Sequence, residues 1–230
     1  MREHSSSKKK KKQINKIKIK RQNKWLIRVI DPAIAKITPN QEVIIEIDCS
    51  KEVPGIALLG GSDTFVNGPA AVILDIYEEG AIDKDGRLKV GDQIRECNDV
   101  VINKDMSYES VCMSIKPRAD KMNMIVYRPQ PLEYLVVQVE LKLKSKQPWG
   151  TLKLRQNERG VYISEIDYSF GSAADPNRQL QRGDFLLAVD GKDVSKHSVL
   201  NIEVLFSHHK SKSIAIQVKR FKIIPKEEPS

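Results

Sequence analysis

The chain has 230 residues, 40% hydrophobic and 30% charged, enough to bury a core as one large domain or as two of about 100 residues each. No apolar run approaches the ~20 residues that cross a bilayer. Three cysteines, an odd number without C-x-x-C spacing, exclude a disulfide scaffold, argue against a structural zinc site and point to a reducing, cytosolic setting. The net charge of +9 is local: nine lysines and three arginines against Glu3 place +11 in residues 1–30, so the other 200 residues carry −2.

Residues 1–30 read as a disordered basic tail. Lys8 to Lys12 follow Ser5-Ser6-Ser7; five adjacent ammonium groups repel one another and cannot be buried. No apolar core of 7–15 residues follows the basic start, so no secretory signal is expected. Three readings stay open for the tail. It is a solvated extension, or Lys8 to Lys12 contact an anionic membrane at about 1 kcal/mol per basic residue, with Trp25, Leu26 and Ile27 inserting beside them. Alternatively it directs a nuclear or nucleic-acid-associated protein. No aromatic residue interleaves the lysines, which argues against stacking on single-stranded nucleic acid.

Downstream, one pattern occurs twice. Arg87-Leu88-Lys89-Val90-Gly91-Asp92-Gln93-Ile94 returns 92 positions later as Gln179-Leu180-Gln181-Arg182-Gly183-Asp184-Phe185-Leu186. Ala71 to Ile76 and Gly160 to Ile166 precede the two copies as strands, Glu42 to Ile47 and Leu135 to Leu141 open them, and Met122 to Tyr127 and Ile214 to Val218 close them. Ser107 to Ile115 and Ser198 to Phe206 have helical apolar spacing, each opening on a serine suited to an N-cap. The chain therefore divides into a unit at 41–128, a Pro-containing linker at 129–134, a unit at 135–221 and a flexible tail at 222–230. The linker prolines restrict the mutual orientation of the units.

The order strand, x-apolar-Gly-apolar turn, strand, Gly-Arg-Leu-x-x-Gly-Asp-x-Ile, Asn-Asp, helix resembles the PDZ domain signature. The phrases Tyr77-Glu78-Glu79-Gly80-Ala81 and Asp83-Lys84-Asp85-Gly86-Arg87-Leu88 resemble the later tandem PDZ pair of InaD-like and multiple-PDZ scaffold proteins across about residues 31–222. The resemblance implies a mainly β fold with short helices, of α+β class: two partly open β-sandwiches or barrels in tandem, each capped by two helices. It also implies a non-catalytic scaffold, without cofactors, that takes the C-terminal peptides of membrane, junctional or signalling proteins as an added strand. A cytoplasmic location peripheral to the plasma membrane or cell junctions follows from the same likeness. The physics is independent of the name: a Gly turn before an open strand exposes successive N–H groups to a carboxylate, and the strand edge accepts an extended peptide.

By that resemblance the first site comprises Pro54, Gly55, Ile56, Ala57 and Leu58 with Tyr108, Cys112 and Ile115 from the helix. Pro54, Ile56, Leu58 and Ile115 form an apolar pocket for the last peptide residue. Tyr108 faces the third-from-last, where its hydroxyl suits Asp or Glu. Pro54 removes one of about three carboxylate-binding N–H groups. The second site aligns as Trp149, Gly150, Thr151, Leu152 and Lys153 with Val199 (or Leu200), Glu203 and Phe206; Lys153 then stands in a partly polar pocket, and two readings stay open, a groove that binds peptide and a copy that binds poorly and serves the tandem structurally. As to catalysis, Ser207-His208-His209-Lys210 has Ser-x-x-Lys spacing without its partner motifs. Asp193, Ser195 and His197 cluster in a turn rather than on facing elements. An enzyme is not expected.

Overall fold

The computed structural model describes residues 30–64, 68–142, 152–166 and 179–223. The basic tail, Lys8 to Lys12 included, lies outside them except for Ile30. Two antiparallel sheets follow one another. The first contains β1 (Glu42–Asp48), β2 (Ile56–Leu59), β3 (Ala71–Ile76), β4 (Gln93–Cys97), β5 (Val100–Val101) and β6 (Lys121–Tyr127), with α1 (Ala81–Asp85) and α2 (Tyr108–Ser114) between strands. The second contains β7 (Tyr134–Lys142), β8 (Leu152–Asn157), β9 (Gly160–Ile166), β10 (Phe185–Val189), β11 (Lys192–Asp193) and β12 (Ser213–Phe221), with α3 (Val199–Ser207). Strand order is β1-β6-β4-β3-β2 in one and β7-β12-β10-β9-β8 in the other, with β5 and β11 as side pairs. The duplicated sequence thus gives a duplicated topology. Neither path returns on itself, so both sheets stay open and neither is a closed barrel. Of the two helices the resemblance implies for the second unit, the described residues contain one, α3.

Alternation sets the strands. On β6, Met122, Met124 and Val126 are buried and Lys121 and Asn123 exposed, the period of a half-solvated antiparallel strand. The helices start where a serine satisfies an otherwise unpaired N–H: Ser107 accepts from the Ser110 N–H and Ser198 from the Asn201 N–H.

The repeated Gly-Asp is a buried structural device. Asp92 and Asp184 are only 1% and 0% exposed. Arg128 donates to Asp92 through Nε at 2.7 Å and Nη2 at 2.6 Å, and Arg220 donates to Asp184 at 2.6 and 2.7 Å. Each aspartate also accepts the main-chain N–H three residues upstream, and each arginine also donates to a carbonyl upstream of its turn, Arg87 O and Gln179 O. Such two-pronged bonds satisfy both charges; removing one partner would leave the other buried and unpaired, at about 3–5 kcal/mol.

The units are packed against each other. Ile56 and Leu58 point into the first unit's core, whereas Ala57 and Leu59, on the opposite face of β2, join Val72, Leu74, Val90, Tyr162, Phe185 and Phe221 in a shared cluster. Tyr162 Oη donates to Asp75 Oδ2 at 2.6 Å, and Asn157 Nδ2 donates to the Leu74 carbonyl at 2.9 Å. Gly183 has φ +88°, and a Cβ there would lie 2.5 Å from the Leu59 side chain, so the backbone angle and the close contact together favour glycine. Mutual orientation is therefore held by an apolar interface in addition to the linker, whose Leu132 belongs to the same cluster. Lys222 and Ile223 depart from the flexible tail expected there: Lys222 N–H donates to Glu133 O, its ammonium pairs with Glu133 at 2.6 Å, and Ile223 packs on the cluster.

Candidate functional site

In the first unit β2 is an edge strand, and the direction of its main chain follows from its neighbour. Ile73, opposite Leu58, spends both its backbone groups on the loop before β4: its N–H donates to Asp92 O and its carbonyl accepts from Gly91 N–H. The Leu58–Ile73 pair is consequently of the non-hydrogen-bonded kind, and the N–H and carbonyl of Leu58 face the free edge. At the head of this edge, Val53 O and Pro54 O accept from Ala81 N–H and Ile82 N–H at the start of α1. The carbonyls of the turn are thus directed to α1. Gly55 N–H meets no acceptor among the described residues, and it is half-exposed.

Gly55 is held as glycine by the chain's own packing. Its φ is +71°, and a Cβ there would sit 2.9 Å from Gly80 Cα. The close approach is to the chain's own backbone, which locks the turn onto α1. Ala57 differs from its assignment to the site, because its side chain faces the shared cluster and only its neighbours Ile56 and Leu58 face the groove side.

The opposite wall is α2. Gly61, with φ +105°, lets the chain after β2 pass where a Cβ would come 2.4 Å from Tyr108 N, and Asp63 Oδ1 accepts that N–H at 2.7 Å. Neither residue stood out in the sequence, yet together they set the helix beside β2; the Gly60-Gly61 doublet was the available signal. Tyr108 and Cys112 are half-buried on this wall, and Ile115 at its end is buried. Burial, and then a side-chain hydrogen bond with Cys112, push the Tyr108 phenol up to about 12. It stays a neutral hydroxyl at any physiological pH. Arg182 of the second unit lies over the Tyr108 ring with its guanidinium carbon 4.8 Å from the centroid, and it donates to Leu58 O at 2.8 Å. Sequence reasoning on the first copy could not find it. The signal was a swap in the duplicated phrase, Val90 before Gly91-Asp92 but Arg182 before Gly183-Asp184.

The second unit corrects a register. Leu152, Lys153 and Leu154 pair with Ile166, Glu165 and Ile163, as Ile56, Ala57 and Leu58 pair with Ile76, Asp75 and Ile73, and both ladders carry their irregularity at the same step. Leu152 and Leu154, not Thr151 and Lys153, therefore correspond to Ile56 and Leu58. Both leucines pack on the second core, whereas Lys153 is exposed and pairs with Glu165 at 2.7 Å. It does not enter a pocket. Ile163 bonds to Gly183 and Asp184, which turns the main chain of Leu154 to the free edge by the same reasoning. Across from β8, Val199 is half-buried and packs on the core while Leu200 is 67% exposed, so Val199 faces inward. Phe206 is buried and Glu203 exposed. Trp149, Gly150 and Thr151 lie outside the described residues.

The residues considered for catalysis make local turns. Ser207 Oγ donates to Val204 O, and Asp193 accepts the Ser195 N–H at 2.8 Å, which holds its carboxyl below the usual range.

These two open edges, each beside a helix, agree with the comparisons. The family profile described as PDZ domain matches residues 138–219. InaD-like protein of Canis lupus familiaris is 37% identical over 177 residues, 74% of this chain and 9% of that protein. Multiple PDZ domain protein of Homo sapiens is 34% identical over 170 residues, 71% of this chain and 8% of that one. The chain thus spans about a tenth of the length of these relatives. The solved structure of INAD PDZ45 in complex with NG2 peptide superposes with a TM-score of 0.74 at 26% identity, over 87% of this chain and all of that one. INAD PDZ45 with NORPA CC-PBM gives 0.71 at 27% identity, over 85% of this chain and 99% of that one. The chain belongs to the PDZ domain family and is built as a tandem pair of that fold.

Proposed function

We propose that the chain is a non-catalytic adaptor whose two units, 41–128 and 135–221, each take the C-terminus of a partner protein as a strand added to β2 or β8. The observation that carries this reading is the outer edge of β2, which pairs with no strand and turns the Leu58 main chain outward beside α2, below a turn whose Gly55 N–H meets no acceptor among the described residues. An extended peptide would continue the sheet there, and its terminal carboxylate would meet the turn. Ile56, Leu58 and Ile115 make the first groove suited to a hydrophobic last residue, and the neutral Tyr108 hydroxyl donates to Asp or Glu third from the end. In the second groove, Leu152, Leu154 and Val199 favour apolar side chains at both positions. That INAD PDZ45 is solved with an NG2 peptide and with NORPA CC-PBM supports the class of ligand. Partners at membranes, junctions or signalling assemblies, a peripheral location and a membrane contact through Lys8 to Lys12 belong to the same proposal.

The test is a C-terminal peptide array probed with the intact chain, with every sequence carried both as free acid and as amide. Amidation is expected to abolish binding. A preference for Asp or Glu third from the end is expected to fall about tenfold in Tyr108→Phe, the loss of one charge-assisted hydrogen bond. Equal binding of acids and amides would reject the reading.

A further inference from the structure

We propose that the second unit holds the first unit's groove shut with Arg182, so that a peptide enters there only by displacing that side chain. The proposal rests on the added-strand reading of the groove. A strand laid along β2 needs the Leu58 carbonyl as an acceptor, and Arg182 Nη1 already occupies it at 2.8 Å. The same guanidinium stacks on Tyr108 at 4.8 Å. One planar group therefore reaches from the strand wall to the helix wall, across the space a peptide backbone would fill. Its side-chain anchor is fixed too: Arg182 Nε donates to Ser164 O on β9 at 3.1 Å. The main chain that carries it is held by Gly183, which abuts Leu59.

The occlusion is one-sided. The equivalent residue of the first unit is Val90, which has no side-chain donor and packs in the shared cluster. No first-unit side chain hydrogen-bonds to the Leu154 main chain among the described residues. The tandem thus has one groove closed from within and one free of that closure, and an event that loosens the packing between the units opens the first.

The experiment uses the intact 230-residue chain and the hexapeptide Ala-Ala-Ala-Ala-Ala-Val as free acid and as amide, which suits the second groove and carries no side-chain acid to pair with Arg182. The Leu58 and Leu154 amide resonances report the two grooves separately. Arg182→Ala is expected to tighten free-acid binding at Leu58 by about tenfold or more, the worth of a charged hydrogen bond that the peptide no longer has to replace, and to leave the Leu154 titration unchanged. Arg182→Lys, which keeps the charge but cannot bond and stack at once, is expected to fall between. In the wild-type chain the Arg182 Nε–H should exchange slowly with solvent and speed up as the first groove fills, a readout independent of any variant. Affinity at Leu58 that is unchanged or weaker in Arg182→Ala, or Nε–H exchange that ignores peptide, overturns the occlusion while the groove reading stands. Indifference to amidation overturns both.

Discussion

Tyr162 concentrates much of the polar chemistry between the units in one hydroxyl. Its ring is buried in the shared cluster, and its Oη donates to Asp75 at 2.6 Å. Burial first, and Asp75 second, push its ionisation well above the ordinary phenol value. The unfolded chain therefore gives up this proton first as pH rises past ~10. The contribution of the neutral phenol to stability is complete below that pH and is lost progressively above it, and Tyr108 titrates in the same sense. Urea unfolding should show Tyr162→Phe less stable by about 1–3 kcal/mol at neutral pH, since Asp75 loses its donor. The decline between pH 9 and 11 should be shallower in the variant than in the wild type. At this scale the sequence was least legible. Gly55, Tyr108 and Ile115 could be named as candidates because a motif fixes their spacing. Arg182 escaped because its role exists only where two distant segments meet.

At the scale of single elements, strands and helices followed their periodicity closely, and both N-cap serines begin their helices as their side-chain chemistry requires. β8 shows why register is harder than existence. Thr151-Leu152-Lys153-Leu154 alternates, so shifting it by one residue exchanges every inward for every outward side chain. Anchoring the alignment on Gly150 selected the register that turned Lys153 inward. The ladder with β9 selects the other, because it buries two leucines and leaves an ammonium in water. Thermal denaturation checks this: Lys153→Ala should change stability by less than about 0.5 kcal/mol, as an exposed surface pair does. Leu154→Ala should cost about 1–2 kcal/mol, below the ~2–5 kcal/mol of a fully buried leucine because this one is half-buried, and should weaken peptide binding at the second groove. The reverse order would restore the register anchored on Gly150.

For the molecule as a whole, the duplication and the class of fold were readable, whereas the contact between units was not. Nothing in the periodicity of β2 distinguishes Ala57 and Leu59 from residues facing solvent, except that both are apolar; the same holds for Val72 and Leu74 on β3. These strands are buried on both faces because the second unit covers the outer one. The two units should accordingly melt together in a single calorimetric transition. Leu59→Asp, which puts an unpaired carboxylate into the cluster, should separate that melt into two steps, with the first groove becoming accessible as the units part. Two transitions in the wild-type chain would contradict a shared interface.

Each Gly-Asp turn is completed by an apolar side chain from outside its own sheet: Leu132 of the linker sits where a Cβ of Gly91 would be, and Leu59 of the first unit sits on Gly183. Severing the polypeptide between the sheets would uncover a greasy socket on each half. The pair consequently behaves as one cassette: transplanted intact into another scaffold it carries its own lining, whereas either half moved alone would present bare apolar surface and invite aggregation.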